Sequence, residues 1–304
     1  GKARADFDKV LELDPEYALA HAAIGAAIYR HDDYENATAE FDIAINSAEW
    51  ILQKAGGIGL AGVYKSRGRN YKALRDYNKS IEDYNMAMNY NPVVDGHQIG
   101  NYEMVGEWEK AIELYDMRIA DTTYTRKYSA YYGKGECYCQ LGLYDEAMEM
   151  YDEAFEDCLK NWPDRLSKVY EQRGDCYFMF EEYDKALEMY NKSAEDTKNY
   201  PSSWYRTRLY TVHSKIGNVY LALEDYDKAV ENYNESISIA IEEGRESSLA
   251  DTYKGLGIAY KEHGEKDKAR AALEKAIELY EEYGEAGHGK EENIEECQKL
   301  IDEL

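Results

Sequence analysis

The sequence predicts an all-α fold, a solenoid in which one pair of helices is repeated along the chain. Its 304 residues include only 4 Pro, so long helices can form almost anywhere. An aromatic residue followed three positions later by a small one recurs along the sequence. In six of seven cases a Gly stands twelve residues before the small residue. These two patterns indicate a repeat of two helices, a first helix that carries the Gly and a second helix that carries the small residue.

The second helix of each repeat is predicted from the spacing of small and bulky residues. Spacings of three and four place side chains on one helical face, and alternating large and small side chains suit packing between helices. The small residues are Ala37, Ser80, Ala111, Ala147, Ala186, Ala229 and Ala269. The bulky residues four positions later are Phe41, Tyr84, Tyr115, Tyr151, Tyr190, Tyr233 and Leu273.

The first helix of each repeat carries a Gly at a fixed place. A Gly inside a helix is about 1 kcal/mol less favourable than Ala, so its recurrence in one register needs a reason. We expect the two helices of a repeat to approach closely at this position. The residues concerned are Gly25, Gly68, Gly135, Gly174, Gly217 and Gly257.

With these residues the chain resembles the tetratricopeptide repeat family, whose helix pairs recur about every 34 residues. The small residues here are 31 to 43 positions apart, so most repeats are longer. The resemblance covers nearly the whole chain. It implies a right-handed α-solenoid superhelix whose first helices line a concave groove that binds proteins. The clearest match is formed by Tyr131, Gly135, Tyr138, Leu141-Gly142, Tyr144, Ala147, Tyr151 and Ala154.

The resemblance also predicts how the chain is divided. We expect residues 1–15 to be the second helix of an incomplete leading repeat, residues 16–288 to form about seven repeats and residues 289–304 to form a C-terminal capping helix. The third repeat is expected to have a short first helix, in which Gly100 is displaced by one position. The repeats are predicted at residues 18–51, 61–92, 93–123, 128–161, 167–200, 210–243 and 250–283.

The charge and hydropathy of the chain exclude some classes of function. Lys and Arg number 36 against 61 Asp and Glu, a net charge of −25, which argues against nucleic acid as a partner. No stretch approaches the 18 apolar residues of a membrane-spanning helix, so no membrane partner is expected. The sequence shows no signal peptide either, and we expect a cytoplasmic protein.

Motifs that suggest chemistry have simpler explanations. Gly57-Ile-Gly59-Leu-Ala-Gly62 matches a dinucleotide-binding fingerprint, but no strand precedes it, so we expect a flexible loop between helices and no cofactor. The five Cys are irregularly spaced and lack zinc-ligand pairs, which predicts free thiols and no metal site. No sequence motif supplies catalytic residues, and we expect no enzymatic activity.

The resemblance places groove residues three before, one after and four after the Gly of each first helix. In the fourth to sixth repeats these positions combine carboxylates, aromatic rings and an amide, which favours a peptide with Lys or Arg and an apolar anchor. The alternative is that they are solvated positions of an acidic protein. The predicted residues are Tyr132, Glu136, Glu171, Asp175, Phe178, Ser214 and Asn218.

The second repeat differs, because residues 61–80 hold six basic groups and one acid. Lys65, Arg69 and Lys72 share one helical face, which the register assigns to the groove; we call these three residues the basic patch. One hypothesis is that the patch binds a carboxylate-rich or C-terminal peptide. The other is internal pairing with neighbouring Asp and Glu. A chaperone-binding clamp of the family has Asn where Arg69 stands, which argues against that specific ligand.

Three functions are compatible with these features. The first is a non-enzymatic adaptor that binds a peptide segment of a partner protein in its groove. The second is a regulatory protein that senses a short peptide, and the third is the recognition domain of a larger multidomain protein. The sequence leaves the partner's identity and the oligomeric state open.

Overall fold

The computed structural model describes residues 7, 9–11, 17–199, 203–283 and 288–304. Fifteen α-helices lie among these residues, and the described part of the chain has no strand, which confirms the all-α class. The chain divides into two compact units, Gly1–Leu141 and Gly142–Leu304, called here the N-terminal and the C-terminal unit. The predicted leading half-repeat at residues 1–15 lies largely outside the described residues.

The N-terminal unit contains seven described helices, each packed on the next. Their apolar side chains form one core around Phe41 and Leu60 and another around Ile99 and Leu114. The helices are α1 (Ala18–Tyr29), α2 (Tyr34–Asn46), α3 (Ala48–Ala73), α4 (Tyr77–Tyr90), α5 (Gly96–Met104), α6 (Trp108–Ala120) and α7 (Lys127–Gln140).

The C-terminal unit contains eight described helices that also pack in succession. Its last helix, at the place of the predicted cap, buries Cys297 and Ile301 against Leu273 and Tyr280. The helices are α8 (Tyr144–Asn161), α9 (Leu166–Met179), α10 (Tyr183–Asn199), α11 (Ser203–Ala222), α12 (Tyr226–Glu242), α13 (Ala250–Glu262), α14 (Lys266–Tyr283) and α15 (His288–Asp302).

The turns between first and second helices share one construction. The residue two positions before the second helix has a positive φ: it is Gly142 in one turn and Arg75 in another. The residue after Arg75 is Asp76, whose carboxylate accepts a hydrogen bond from the Lys79 amide at 3.1 Å. Such an N-cap satisfies an amide that the first helical turn leaves without a partner. Asp33 and Asp225 cap α2 and α12 in the same way.

The recurring Gly positions lie where the two helices of a repeat meet, as the sequence predicted. A Cβ atom built on Gly217 would be 2.7 Å from Cε1 of Tyr233, and one on Gly174 equally close to Cε1 of Tyr190. Both rings are almost completely buried. Any larger residue would therefore collide with a tyrosine that cannot move aside. Gly25, Gly68 and Gly257 lie against Phe41, Tyr84 and Leu273 in the same manner.

The predicted flexible loop at residues 57–62 is wrong, because this segment is helical. It belongs to α3, which is interrupted at Gly56, where φ is 67° and ψ is −173°. Leu60 and Ala61 are buried in the core of the N-terminal unit, and this packing stabilises the helix despite its five glycines. The segment therefore connects two repeats without an open loop.

The prediction of free thiols holds for three of the five cysteines. Cys137, Cys158 and Cys297 are free and buried. Cys139 and Cys176 are disulfide-bonded, so the prediction is wrong for these two. Irregular spacing along the sequence carries no information about which side chains the fold brings together. No group of metal-binding side chains is present among the residues that the structure describes.

Candidate functional site

The predicted groove residues Glu171 and Asp175 lie on α9 and face cations of α11. The Glu171 side chain is 6 % exposed and binds both Arg208 and Lys215, with 2.8 Å to the Lys215 Nζ. Lys168 lies 3.9 Å away on the same helix as Glu171. Three cations thus surround one buried carboxylate, which we call the Glu171 cluster together with Asp175.

Asp175 completes this cluster. Its carboxylate is 2.6 Å from Lys215 Nζ and accepts hydrogen bonds from the Tyr190 hydroxyl at 2.7 Å and the Gln172 amide at 3.0 Å. The carboxylates of Glu171 and Asp175 therefore have protein partners already. The cluster thus joins three cations and two carboxylates.

The pKa values in the cluster reflect burial and the charges of the neighbouring side chains. Burial alone would raise the pKa of Glu171, but the charges of Lys215, Lys168 and Arg208 outweigh it and lower the pKa to about 2. Burial lowers the pKa of Lys168, and the repulsion of Arg208 and Lys215 adds to that decrease. The Glu171 carboxylate thus stays ionised, while burial disfavours the charged form of Lys168.

The other predicted residues of the C-terminal unit make contacts within the protein. Phe178 packs on Tyr183 with ring centroids 5.7 Å apart. The hydroxyl groups of Ser214 and Thr252 are 3.0 Å apart and link α11 to α13. Asn218 accepts a hydrogen bond from the buried Tyr233 at 2.6 Å. These three side chains therefore contribute to packing between and within repeats.

In the N-terminal unit, α7 carries the two remaining residues of the predicted set. Tyr132 is partly buried, with its ring 6.1 Å from that of Tyr128. Glu136 is exposed. Of the predicted carboxylates, it is the one that the fold leaves at the surface.

The basic patch lies on the second half of α3, opposite the short helix α5. Lys65 donates to the Val93 carbonyl at 3.2 Å, and Arg69 pairs loosely with Asp95 at 3.4 Å. Lys72 makes no ion pair with any residue that the structure describes, and its Nζ lies 3.2 Å from the point a Gly100 Cβ would occupy. The patch therefore combines three cations with two nearby carboxylates, Asp95 and Glu103.

The helix that faces the patch has little side-chain volume at the groove positions. Counted from Ile99, which takes the place of the displaced Gly, these positions are Gly96, Gly100 and Glu103. Glu103 accepts a hydrogen bond from Tyr115 at 2.6 Å and so points to the second helix of its repeat. The missing side chains leave room for Arg118 beside Gly96 and for Lys72 beside Gly100.

Two other basic groups of the second repeat are structural. Arg67 donates to Asp83 at 2.8 and 2.7 Å and to Asp42 at 2.6 Å. Lys79 pairs with Asp76 at the start of α4. The charge of this segment is thus partly compensated within the fold, which sequence counting alone could not show.

Lys168, Arg208 and Lys215 were missed by the sequence reasoning. Arg208 and Lys215 are 37 and 44 residues from the Glu171 that they bind. Lys215 directly follows the predicted Ser214, so a search that allowed one position either side of the register could have found it. Nothing local in the sequence identifies Arg208.

Comparison with known proteins gives the family. A tetratricopeptide repeat model matches residues 127–198 and 208–282. These are the long repeats with the Gly and Tyr register described above, and the packed helix pairs agree with them. The chain is a tetratricopeptide repeat protein. No curated protein has significant sequence similarity to this tetratricopeptide repeat chain.

Solved structures of the same fold are distant in sequence. A tetratricopeptide repeat protein from Parabacteroides merdae has a TM-score of 0.66 and 15% identity, covering 98% of this chain and 100% of that one. BtubC from P. vanneervenii has a TM-score of 0.53 and 18% identity over 73% of this chain and 89% of its own. A chain of the APC/C hetero-tetramer Cut9-Hcn1 has a TM-score of 0.54 and 15% identity. The match covers 96% of this chain and 52% of that one. These likenesses show the fold.

No helix in the described part of the chain has the length and hydropathy needed to cross a lipid bilayer.

Proposed function

We propose that this tetratricopeptide repeat protein is a non-enzymatic adaptor that binds a peptide segment of a partner protein along its first helices. The fold is a scaffold suited to protein–protein interaction. One observation carries the proposal: Lys65, Arg69 and Lys72 converge on a helix face whose groove positions include Gly96 and Gly100. The peptide is expected to present carboxylates to this basic patch.

Charge favours an acidic segment over a basic one at this surface. The patch has three cations and two nearby carboxylates: Asp95, which already caps α5 through the His97 amide at 3.0 Å, and Glu103, which lies near Lys72 beside Gly100. A carboxylate of the partner would form charge-assisted hydrogen bonds to Lys72 and Arg69, and these are stronger than neutral ones.

Glu136 is the predicted residue most suited to bind a basic group, because it is exposed. Tyr132, one helical turn earlier, offers an aromatic contact beside it. We retain these two residues as candidates for a Lys or Arg of the same peptide. Glu171 and Asp175 would first have to release their own cations, so their contribution to such binding is expected to be small.

The test compares two triple variants of the full chain on an array of peptides that differ in Asp, Glu, Lys and Arg content. Replacing Lys65, Arg69 and Lys72 by Ala is expected to weaken binding of acidic peptides at least tenfold, about 1.4 kcal/mol. The matched control replaces Lys54, Arg126 and Lys160, which are exposed and without ion pairs in the described structure. It changes the net charge equally and should bind normally.

Salt provides a second measurement in the same experiment. Binding that depends on the basic patch should weaken between low and high salt, because screening reduces attraction between exposed charges. Equal binding by the two triple variants would contradict the proposal. So would a preference of the unmodified protein for basic peptides, which would instead favour Glu136 as the principal contact.

A further inference from the structure

A surface pocket of about 280 Å³ lies in the N-terminal unit and borders the basic patch, because Lys65 donates to the carbonyl of its lining residue Val93. It is formed by the segment that leads into α5, the end of α6 and the turn that follows α6. Val93 and Met117 are 52 % and 43 % exposed, so the pocket presents apolar surface to solvent. Its lining residues are Pro92, Val93, Val94, Met117, Arg118, Asp121, Thr123 and Tyr124.

Arg118 is the cation among the residues that line this pocket. Its guanidinium carbon lies 4.4 Å from the centroid of the Tyr124 ring, so one face of the cation is covered by an aromatic side chain. Arg118 forms no ion pair with any of the described residues. Gly96 leaves room beside it, since a Cβ built there would be 3.4 Å from Nη1. The N–H groups in the guanidinium plane therefore remain available.

Asp121 lines the same pocket but does not neutralise Arg118. Its carboxylate accepts hydrogen bonds from the Thr123 amide at 2.8 Å and the Thr123 hydroxyl at 2.7 Å. These bonds lower the pKa of Asp121, so the carboxylate is stabilised by its own turn. The pocket thus combines apolar walls with a cation and a carboxylate that form no ion pair with each other.

We infer that this pocket binds an aliphatic side chain of a partner protein that is followed or preceded by Glu or Asp. An aliphatic side chain would cover Val93 and Met117, and removal of this area from water favours binding. The neighbouring carboxylate would meet the edge of Arg118, whose fork geometry matches a carboxylate. The volume is close to the lower limit for small-molecule sites, about 300 Å³, and suits one side chain. The pocket borders the basic patch of the proposed function through Lys65 and Val93, but the cation and the apolar side chains that it would use are not those of the patch.

The experiment uses the full chain with ¹³C-methyl-labelled Met and the peptide acetyl-Gly-Ser-Glu-Leu-Ser-Gly-amide. The Met117 methyl signal, identified by its loss in Met117→Leu, should shift on titration and saturate. The same peptide with Gln in place of Glu is expected to bind at least tenfold more weakly. The same peptide with Ser in place of Leu should also bind more weakly.

Two variants test the assignment of these preferences. Arg118→Gln should abolish the preference for Glu over Gln, whereas Arg126→Gln, an exposed Arg near the same turn, should retain it. Val93→Ser should reduce the preference for Leu over Ser, and because Val93 lies outside a helix this change should leave the fold intact. The other Met signals report folding in every variant.

The inference is overturned if the Met117 signal does not move at millimolar peptide. It is also overturned if Arg118→Gln keeps the Glu preference. The peptide array depends on Lys65, Arg69 and Lys72, whereas this measurement depends on Met117, Arg118 and Val93, so failure of the proposed function and failure of the pocket are distinguishable.

Discussion

Glu171→Gln is expected to reduce the free energy of unfolding of the C-terminal unit by about 3 kcal/mol. This is the lower end of the loss found when one partner of a buried ion pair is removed. The neutral amide has nearly the same shape, but it leaves Lys168, Arg208 and Lys215 with Asp175 as their acidic neighbour. Chemical denaturation followed by circular dichroism measures the change.

The control is Glu188→Gln, which removes a carboxylate that is 57 % exposed and paired with Lys192 in the same helix. Exposed pairs of this kind contribute at most about 1 kcal/mol. If the two variants have equal stability, the Glu171 cluster is not a stabilising feature of the repeat interface.

The effect of Glu171→Gln should depend on pH in one direction. The pKa of Glu171 in the folded protein is lowered to about 2 from an ordinary value of 4.5. Its stabilising contribution is therefore complete above pH 4.5 and is lost as the pH falls towards 2. The difference between the two proteins should be largest near neutral pH and shrink on acidification. A difference that grew on acidification would contradict the assigned shift.

Gly217→Ala is expected to destabilise the C-terminal unit by about 2 kcal/mol, although Ala favours helices by about 1 kcal/mol over Gly. The added methyl group would lie 2.7 Å from the ring of Tyr233, which is fully buried and held by its hydrogen bond to Asn218. The ring or the helix must move, and interior packing leaves no space for that. A fall in the denaturation midpoint measures this effect.

Gly62→Ala provides the matched comparison, with the opposite sign. Gly62 is also helical, but a Cβ there meets nothing within 4 Å. The higher helix propensity of Ala is then the only effect, and we expect the free energy of unfolding of the N-terminal unit to increase by up to about 1 kcal/mol. If both substitutions stabilise, the recurring Gly positions are not sites of close helix contact.

The sequence was sufficient for the helix pairs because their signal is local. Gly174 and Tyr190, or Gly217 and Tyr233, recur at one spacing, and the packing they predict is the packing observed. The candidate site was only partly predictable. The register identifies Glu171, but Arg208 and Lys215, which pair with it, come from α11. The sequence does not show which side chains of a neighbouring repeat pair with a groove residue.

The segment at residues 57–62 shows the opposite limitation. Its glycines predict a loop by local propensity, yet burial of Leu60 and Ala61 makes it helical. Tertiary packing of an apolar face routinely outweighs propensity. Arg118 was not predicted as a site residue. Its lack of an ion pair with Asp121 depends on the hydrogen bonds that Asp121 accepts from Thr123, and the sequence does not show these.

The break at Gly56 has a consequence for the orientation of the basic patch. From Gly57 to Lys72 the chain is continuous helix, so the direction in which the patch points is fixed by the number of residues after the break. Each residue inserted or removed between Gly57 and Lys65 would rotate the patch by about 100° around the helix axis. Homologues that bind the same ligand should therefore vary in length before Gly56, while the segment after it keeps a constant length.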